Sequence, residues 1–345
     1  MKILFVVNSF EFFYSHRREI AVELIKHGHE VSVLGAGKVP QGRALQEVSH
    51  YKYLFPKPTY NPFKEALSFF SIVKEIRKIN PDILHLITLK PHLYGMLAAR
   101  ILGVRKLVMA VAGFGNLANT HSRKFGMNHV LLFIYRVLVR GQDYRFIVQN
   151  YADLDILQSR LKIRPDDVLI TLGSGVDLSA FRPAEKKVNG SKRVLFAGRL
   201  LKSKGLNEFI QIASELSYLD VEFCVAGKID ANNPDSFTQL EIEELGFRAP
   251  NVKFLGHVDM PACLREVGMI LYPSTYGEGV PKVLLESAAS GLPIVTTNTP
   301  GCGRAVEDGV TGFLCTSGDA QMMAERTGRL LTDPALYERM SIAAR

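Results

Sequence analysis

The sequence predicts an α/β fold of two Rossmann-like, doubly wound domains facing a cleft, and three observations predict it. Short apolar runs of strand length alternate with helical segments along the whole chain, the pattern of parallel sheets covered on both faces. The chain has 345 residues, enough for two substantial cores. A polar stretch midway, DLSAFRPAEKKVNGSKR, carries Pro183 and Gly190 and has the composition of a linker. The expected division is 1–180 and 181–345.

Each strand can be placed in order. In the first domain they are expected in KILFVVNS, HEVSVLGA, ILHLIT, KLVMAVA, RFIVQN and VLITLGSG. In the second they are expected in RVLFAGR, VEFCVAG, VKFLG, MILYPS, PIVTT and GFLC. In open α/β sheets ligands bind beyond the carboxyl ends of the strands, so the loops after these segments are where function is expected.

Composition narrows the class. The apolar fraction of 47% and charged fraction of 22% are those of a globular protein. No apolar run reaches the roughly 18 residues of a membrane span, and Ile3 to Val7 is too short for a signal-peptide core, so a cytoplasmic location is expected. Cys224, Cys263, Cys302 and Cys315 lack metal-type spacing and are expected to be free thiols. Neither a metal site nor a bound cofactor is expected.

The formal net charge of +8 is unevenly spread. Residues 1–180 hold 24 Lys and Arg against 14 Asp and Glu, and residues 181–345 hold 18 against 20. The first half is therefore +10 and the second −2, which points the first half at an anionic partner. From His121 to Arg145 the basic residues Arg123, Lys124, Arg136, Arg140 and Arg145 surround the apolar run VLLFIY, with Asp143 the one acid. That composition fits a helix lying on an anionic membrane surface, and equally a core helix with a solvated basic face. No nucleic-acid-binding module is recognisable, so nucleic acid is not an expected partner.

Two strand-loop-helix units of the second domain carry the candidate chemistry. In the first of them, Met269 to Ser274 is an apolar run, Thr275 to Val280 holds two glycines, and Pro281 stands where a helix should open. The helix carries Val283, Leu284, Leu285, Ala288 and Ala289 into a core and stops before Gly291 and Pro293. Its leading amides, over Gly279 to Val283, form an anion site, with Glu278 in the loop and Glu286 on the second turn. Carboxylates so placed suit sugar hydroxyls, although two solvated glutamates on an ordinary unit would have the same spacing. The other unit, VLFAGRLLKSKGLNEFI, ends a strand in Gly198-Arg199 and continues through Lys202, Lys204 and Gly205. Arg199 can fork onto phosphate oxygens and Lys204 supplies a compact charge, unless the segment is only a solvated basic turn.

A dinucleotide dehydrogenase is disfavoured, because the turn after the first strand, NSFEFFYSHRRE, has no glycine. The GFG at Gly113 to Gly115 and the GSG at Gly173 to Gly175 lack the required spacing. Asp153-Leu154-Asp155 has the form of a metal-binding Asp-x-Asp, yet follows QNYA where acids favour a helix start.

The paired glutamates, followed by GLPIVTTNTPG and DGVTGFL, resemble the motif of the retaining GT-B glycosyltransferases of family 4, in particular those of bacterial surface-polysaccharide assembly. The resemblance spans almost the whole chain and is strongest from Arg193 to Phe313. It implies that Glu286 holds the nucleotide ribose, that Glu278 contacts the donor sugar, and that Gly198, Arg199 and Lys204 clamp the diphosphate. It also places Gly227, Lys228, His257, Val258, Gly279, Val280, Pro281, Lys282 and Val283 on the donor. Ser15-His16-Arg17 resembles the SHR of that subgroup, with His16 positioning the acceptor or assisting proton movement. The resemblance puts Lys90 and His92 at the cleft, and Ser15, His16, Arg17, Lys90, His92, Gly113 and Phe114 are the expected acceptor-binding residues. Gly113-Phe114 stands where many members have a histidine on the donor sugar, and Gly301-Cys302-Gly303-Arg304 departs from the usual Gly-Cys-Arg-Glu run. Members of the family continue beyond the equivalent of Arg345 into a helix that returns to the first domain.

The implied enzyme moves a sugar, an N-acetylhexosamine by resemblance, from a UDP-sugar to a polyprenyl-diphosphate-linked or other glycan acceptor in O-antigen or capsule synthesis. It needs no metal, and it works at the inner face of the cell membrane. Arg199, Lys204, Glu278 and His16 are its candidate catalytic residues. A UDP-sugar epimerase of the same fold and a non-catalytic nucleotide-sugar-binding subunit are the alternatives.

Overall fold

Two separate parallel sheets organise the chain in the computed structural model, which describes residues 1–40, 44–55, 61–111, 113, 125–184, 192–231 and 233–345, with the backbone alone for 125–131. The first sheet comprises β1 (Lys2–Val6), β2 (Glu30–Gly35), β3 (Ser49–Lys52), β4 (Ile83–Ile87), β5 (Lys106–Ala110), β6 (Asp143–Val148) and β7 (Val168–Ile170). Its strand order is β3-β2-β1-β4-β5-β6-β7. Around it run α1 (Phe10–His16), α2 (Arg18–Lys26), α3 (Pro62–Ile79), α4 (Leu89–Leu102), α5 (Phe125–Val139) and α6 (Tyr151–Asp155).

The second sheet holds β8 (Arg193–Ala197), β9 (Glu222–Ala226), β10 (Val252–Gly256), β11 (Met269–Tyr272), β12 (Ile294–Thr297) and β13 (Gly312–Cys315), in the order β10-β9-β8-β11-β12-β13. Its helices are α7 (Leu206–Glu215), α8 (Gln239–Arg248), α9 (Met260–Glu266), α10 (Lys282–Ala289), α11 (Ala320–Thr332) and α12 (Pro334–Ala343). In both sheets the strand order reverses once, between β1 and β4 and between β8 and β11. At such a reversal the following loops turn to opposite faces and leave a crevice at the carboxyl ends.

The chain divides into two compact units, Met1–Ser174 and Gly175–Arg345. The start of the expected linker belongs to the second unit: Val176 and Ala180 pack on its core, and Phe181 is buried in it. Residues 185–191 lie outside the described residues.

Strand burial explains why these runs are apolar throughout. Alternate side chains of the first sheet enter two cores, as the period of two requires. Leu4, Val6, Leu84 and Leu86 meet Ile72 of α3, Met96 of α4 and Tyr135 of α5, while Phe5, Val7 and Val33 meet Phe10 and Phe13 of α1. The strand absent from the sequence expectation is β3. It is four residues long, SHYK, and lies at the sheet edge with mixed exposure, so no apolar run marks it.

Helix starts follow local chemistry. Ser9 caps α1 by accepting from Phe12 N–H, and Asn61 caps α3 just before Pro62. Asn150 caps α6, accepting from Asp153 N–H at 2.8 Å and donating to Asp153 Oδ2 at 2.8 Å. The Asp-x-Asp therefore forms a helix start, with Asp153 buried in it.

Candidate active site

In the second unit the predicted donor residues fall on the loops that follow β8, β9, β10 and β11 and on the first two turns of α10. After β8 the chain passes through Gly198 and Arg199, makes a 3-10 turn over Lys202–Lys204, and enters α7 at Gly205. Gly205 has φ +83°, and a Cβ there would lie 2.0 Å from the Pro273 carbonyl oxygen. The position thus demands glycine twice over, and it brings the β8 loop against the β11 loop.

Ser203 joins the same two loops. Its carbonyl accepts from Thr275 N–H at 3.0 Å and from the Ser274 hydroxyl at 3.3 Å. Asp235 holds it from the other side, accepting from Ser203 N–H at 3.2 Å and from the Ser203 hydroxyl. Further along, the loops are hydrogen-bonded in series: Leu200 N–H donates to Lys228 O at 3.0 Å, and Gly227 N–H donates to Gly256 O at 2.8 Å.

At the centre stands Lys204, 7% exposed. Its ammonium makes an ion pair with Glu278 Oε1 and lies 5.6 Å from the centre of the Tyr272 ring. The Tyr272 hydroxyl donates to the same Glu278 oxygen at 3.3 Å. Burial first, and the Glu278 charge second, push the Tyr272 phenol well above its ordinary pKa, so it remains a hydrogen-bond donor. Arg199 is different: its guanidinium is mostly exposed and touches Asp230 Oδ2 at 3.3 Å. An exposed single contact of this kind contributes little and leaves Arg199 able to change partner.

The second glutamate sits as its spacing implies. Glu286 is buried on the second turn of α10, 3.3 Å from Lys282 Nζ. The helix opens one residue later than expected, because Pro281 takes extended backbone, φ −61° and ψ 126°, as the N-cap. No side chain caps α10, and the dipole of its amino end favours an anion there. Val280 and Pro281 are buried, Val283 and Val258 are half-buried, and His257 is exposed after the β10 turn at Gly256.

Among the first-unit candidates, Ser15, His16 and Arg17 occupy the junction of α1 and α2. The Ser15 hydroxyl donates to Phe12 O at 3.0 Å and lies 2.6 Å from His16 Nδ1. The imidazole stacks on Phe12 with centroids 4.3 Å apart.

Two expectations are corrected here. His92 is 2% exposed, donates from Nε2 to Leu86 O at 3.0 Å, and takes the Tyr135 hydroxyl on Nδ1 at 2.7 Å. Burial pushes its pKa down to about 4, so it is a neutral core histidine with both nitrogens engaged. Lys90 is 6% exposed and ties α4 to α3 through Glu65 at 2.9 Å and to Phe55 O at 2.5 Å. Both lie on the first turn of α4, where the buried side of the helix faces α3 and α5. Gly113 follows β5 with φ +104°, and Phe114 lies outside the described residues.

Sequence reasoning missed Tyr272, Ser203 and Asp235. Tyr272 had a signal, a lone phenol ending the otherwise aliphatic strand MILY just before Pro273. Asp235 had none, since its partner is 32 residues away.

Comparison with known proteins agrees with this architecture. Residues 2–150 match the family described as glycosyl transferase 4-like, and residues 179–345 match glycosyl transferases group 1. The chain is similar to an N,N'-diacetylbacillosaminyl-diphospho-undecaprenol alpha-1,3-N-acetylgalactosaminyltransferase of Campylobacter jejuni, 26% identical over 97% of this chain and 91% of that protein. It is also similar to a UDP-Gal:alpha-D-GlcNAc-diphosphoundecaprenol alpha-1,3-galactosyltransferase of Escherichia coli, 26% identical over 79% of this chain and 72% of that protein. Among solved structures, Anabaena Alr3699/HepE in complex with UDP-glucose has the same fold, with TM-score 0.78 and 19% identity, covering 100% of this chain and 93% of that one. The chain is a glycosyltransferase of the GT-B fold, with a glycosyl transferase 4-like first half and a group 1 second half.

Proposed function

We propose that this glycosyltransferase moves an N-acetylhexosamine from a UDP-sugar to a polyprenyl-diphosphate-linked glycan acceptor, with retention and without a metal. The observation that carries the reading is the buried Lys204–Glu278–Tyr272 group beside the uncapped start of α10, at the strand-order reversal of the second sheet. Support for the donor comes from the fold shared with a protein crystallised with UDP-glucose. Support for the acceptor comes from the two relatives whose names specify diphospho-undecaprenol substrates.

The chemistry follows from the charges. The bond from the sugar anomeric carbon to the β-phosphate oxygen breaks, and the acceptor oxygen bonds to that carbon on the same face. The acceptor proton passes to the leaving phosphate oxygen, so no protein nucleophile is needed. Negative charge grows on the diphosphate as this happens. Lys204 leaves Glu278 for the diphosphate, Arg199 leaves Asp230, and the α10 amides complete the cradle. Glu278, released, takes sugar hydroxyls, and Glu286 takes the ribose.

A panel of UDP-sugars incubated with and without diphosphate-linked acceptor tests this reading. Acceptor-dependent transfer with retained configuration is expected, unaffected by EDTA. Isomerised sugar in the absence of acceptor would instead favour an epimerase, and loss of activity with EDTA that magnesium or manganese restores would refute metal independence.

Attachment to the inner membrane surface is part of the same proposal. Among the described residues no helix is long and apolar enough to cross a membrane. The exposed faces of α3, α4 and α5 nonetheless carry Phe63, Phe70, Ile101 and Phe133, each more than half exposed. Exposed Lys64, Lys74, Arg77, Arg136 and Arg140 lie on or beside the same helices. The inner face of α5 is core, with Leu132, Tyr135 and Val139 buried, so the helix serves packing and presents an apolar-basic surface at once. Arg123 and Lys124 lie outside the described residues. Each base near anionic lipid contributes about 1 kcal/mol, weakened as salt shortens the Debye length. Co-sedimentation with phosphatidylglycerol vesicles is expected to fall at high salt and to be lost in the Phe63→Ser, Phe70→Ser, Phe133→Ser triple variant. Wild-type binding to neutral vesicles at equal strength would contradict it.

A further inference from the structure

In the first unit, the buried side-chain atoms without a partner among the described residues are Asn8 Oδ1, Arg17 Nε, His85 Nε2 and Thr88 Oγ1. Asn8 and Thr88 follow the neighbouring strands β1 and β4, His85 lies on β4, and Arg17 ends α1. Val6 of β1 is registered with Leu86 of β4, and Asn8 and Thr88 each follow two residues later. His85 is paired with Phe5 in the same ladder and stacks on it at 4.6 Å, while Phe5 meets Phe13 of α1 at 5.3 Å. Arg17 closes α1, donating its backbone N–H to Phe13 O at 2.7 Å.

Arg17 is 4% exposed, and its guanidinium donates to His16 O at 3.0 Å. Among the described residues no carboxylate pairs with it, and the residues of the first half outside the description include no Asp or Glu. Burying an unpaired guanidinium is costly, so buried arginines normally meet an anion. His85 is buried beside it, and burial, then the Arg17 charge, push the imidazole pKa down to about 3. Neutral His85 adds no repelling charge and can donate from a ring nitrogen to an oxyanion. At the end of β4, α4 begins after Thr88 with no side-chain cap, so the dipole of its amino end adds positive potential there.

We propose that Arg17 and His85, with the amino end of α4, form an oxyanion site that takes a phosphate group of the diphosphate-linked acceptor. The proposal rests on the acceptor reading given above and adds the chemical group that the first unit recognises. The donor diphosphate, which offers the same chemistry, belongs to the second unit, so the test first saturates the protein with UDP.

Inorganic pyrophosphate is then titrated into the UDP-saturated protein while Tm and the imidazole NMR signals of His85 are followed. A saturable rise in Tm and a shift of the His85 signals are expected. Arg17→Met abolishes both, and Arg17→Lys, which keeps the charge and loses the fork, weakens binding by roughly tenfold. Arg17→Met also raises KM for a diphosphate-linked acceptor by about tenfold or more while KM for the UDP-sugar stays unchanged, a split that a purely structural role would not give. Unmoved His85 signals in the wild type overturn the site without recourse to any variant, as does an undiminished Tm rise in Arg17→Met. If wild-type protein takes pyrophosphate as described but glycosylates no diphosphate-linked acceptor, the acceptor reading falls and the anion site stands.

Discussion

Replacing Lys204 with alanine lowers kcat by about two to three orders of magnitude, the loss typical when one donor to developing charge is removed. The effect is large because Lys204 is a buried cation in the turn that leads into α7, not a mobile surface lysine. Two consequences separate in measurement. Truncation removes the positive charge that the leaving diphosphate meets, and it also leaves Glu278 half-buried with only the Tyr272 hydroxyl and its remaining contacts. Breaking such a pair from one side costs up to about 3–5 kcal/mol of stability. The Lys204→Ala, Glu278→Gln double variant restores much of the stability and none of the turnover. Single-turnover rates with bound UDP-sugar, read beside Tm, check both parts. Wild-type kcat in Lys204→Ala would remove Lys204 from the diphosphate clamp. Arg199→Ala follows the same logic for turnover with little change in Tm, since its partner Asp230 is reached by one exposed contact.

The same residues show what a sequence can carry. The strands expected in the second domain recur within a residue or two at each end, because strands of a parallel sheet are apolar on both faces and the runs stand out. The short edge strand β3 has no such run and could not be read. The Glu278 and Glu286 spacing placed one carboxylate in the loop and one in the helix, since a proline after a glycine-rich loop fixes where a helix can begin. What the sequence could not carry was long-range pairing. Lys204 and Glu278 are 74 residues apart, and nothing local says they touch. His92 illustrates the opposite error: the resemblance puts it at the cleft, but its partners, Leu86 O and the Tyr135 hydroxyl, hold it in the core. The unpartnered group around Arg17 was likewise invisible, as only burial reveals that a charge lacks a counter-charge.

Gly301→Ala is expected to cut turnover by about two orders of magnitude without adding or removing any functional group. Gly301 has an ordinary φ of −83°, so the backbone itself accepts alanine. The obstacle is space: a Cβ there would lie 2.2 Å from Gly279 O and 2.4 Å from Glu278 O, both backbone atoms of the loop that carries the first glutamate. Ordinary contact requires that loop to retreat by roughly 1 Å, and a displacement of that size at a reacting centre costs about a hundredfold. Because Glu278 also anchors Lys204 and Tyr272, the shift reaches the whole charge group rather than one side chain. The damage falls on kcat more than on donor affinity, since the ribose contact assigned to Glu286 is on α10 beyond the displaced loop. Gly246→Ala in α8 is the control, where the nearest atom to a new Cβ, Phe254 Cε2, is 3.8 Å away, and alanine there stabilises the helix by up to about 1 kcal/mol. Kinetics and Tm of the two variants decide the matter. Near-wild-type kcat in Gly301→Ala would mean that the Glu278 loop tolerates the move and that turnover does not depend on where Glu278 is held.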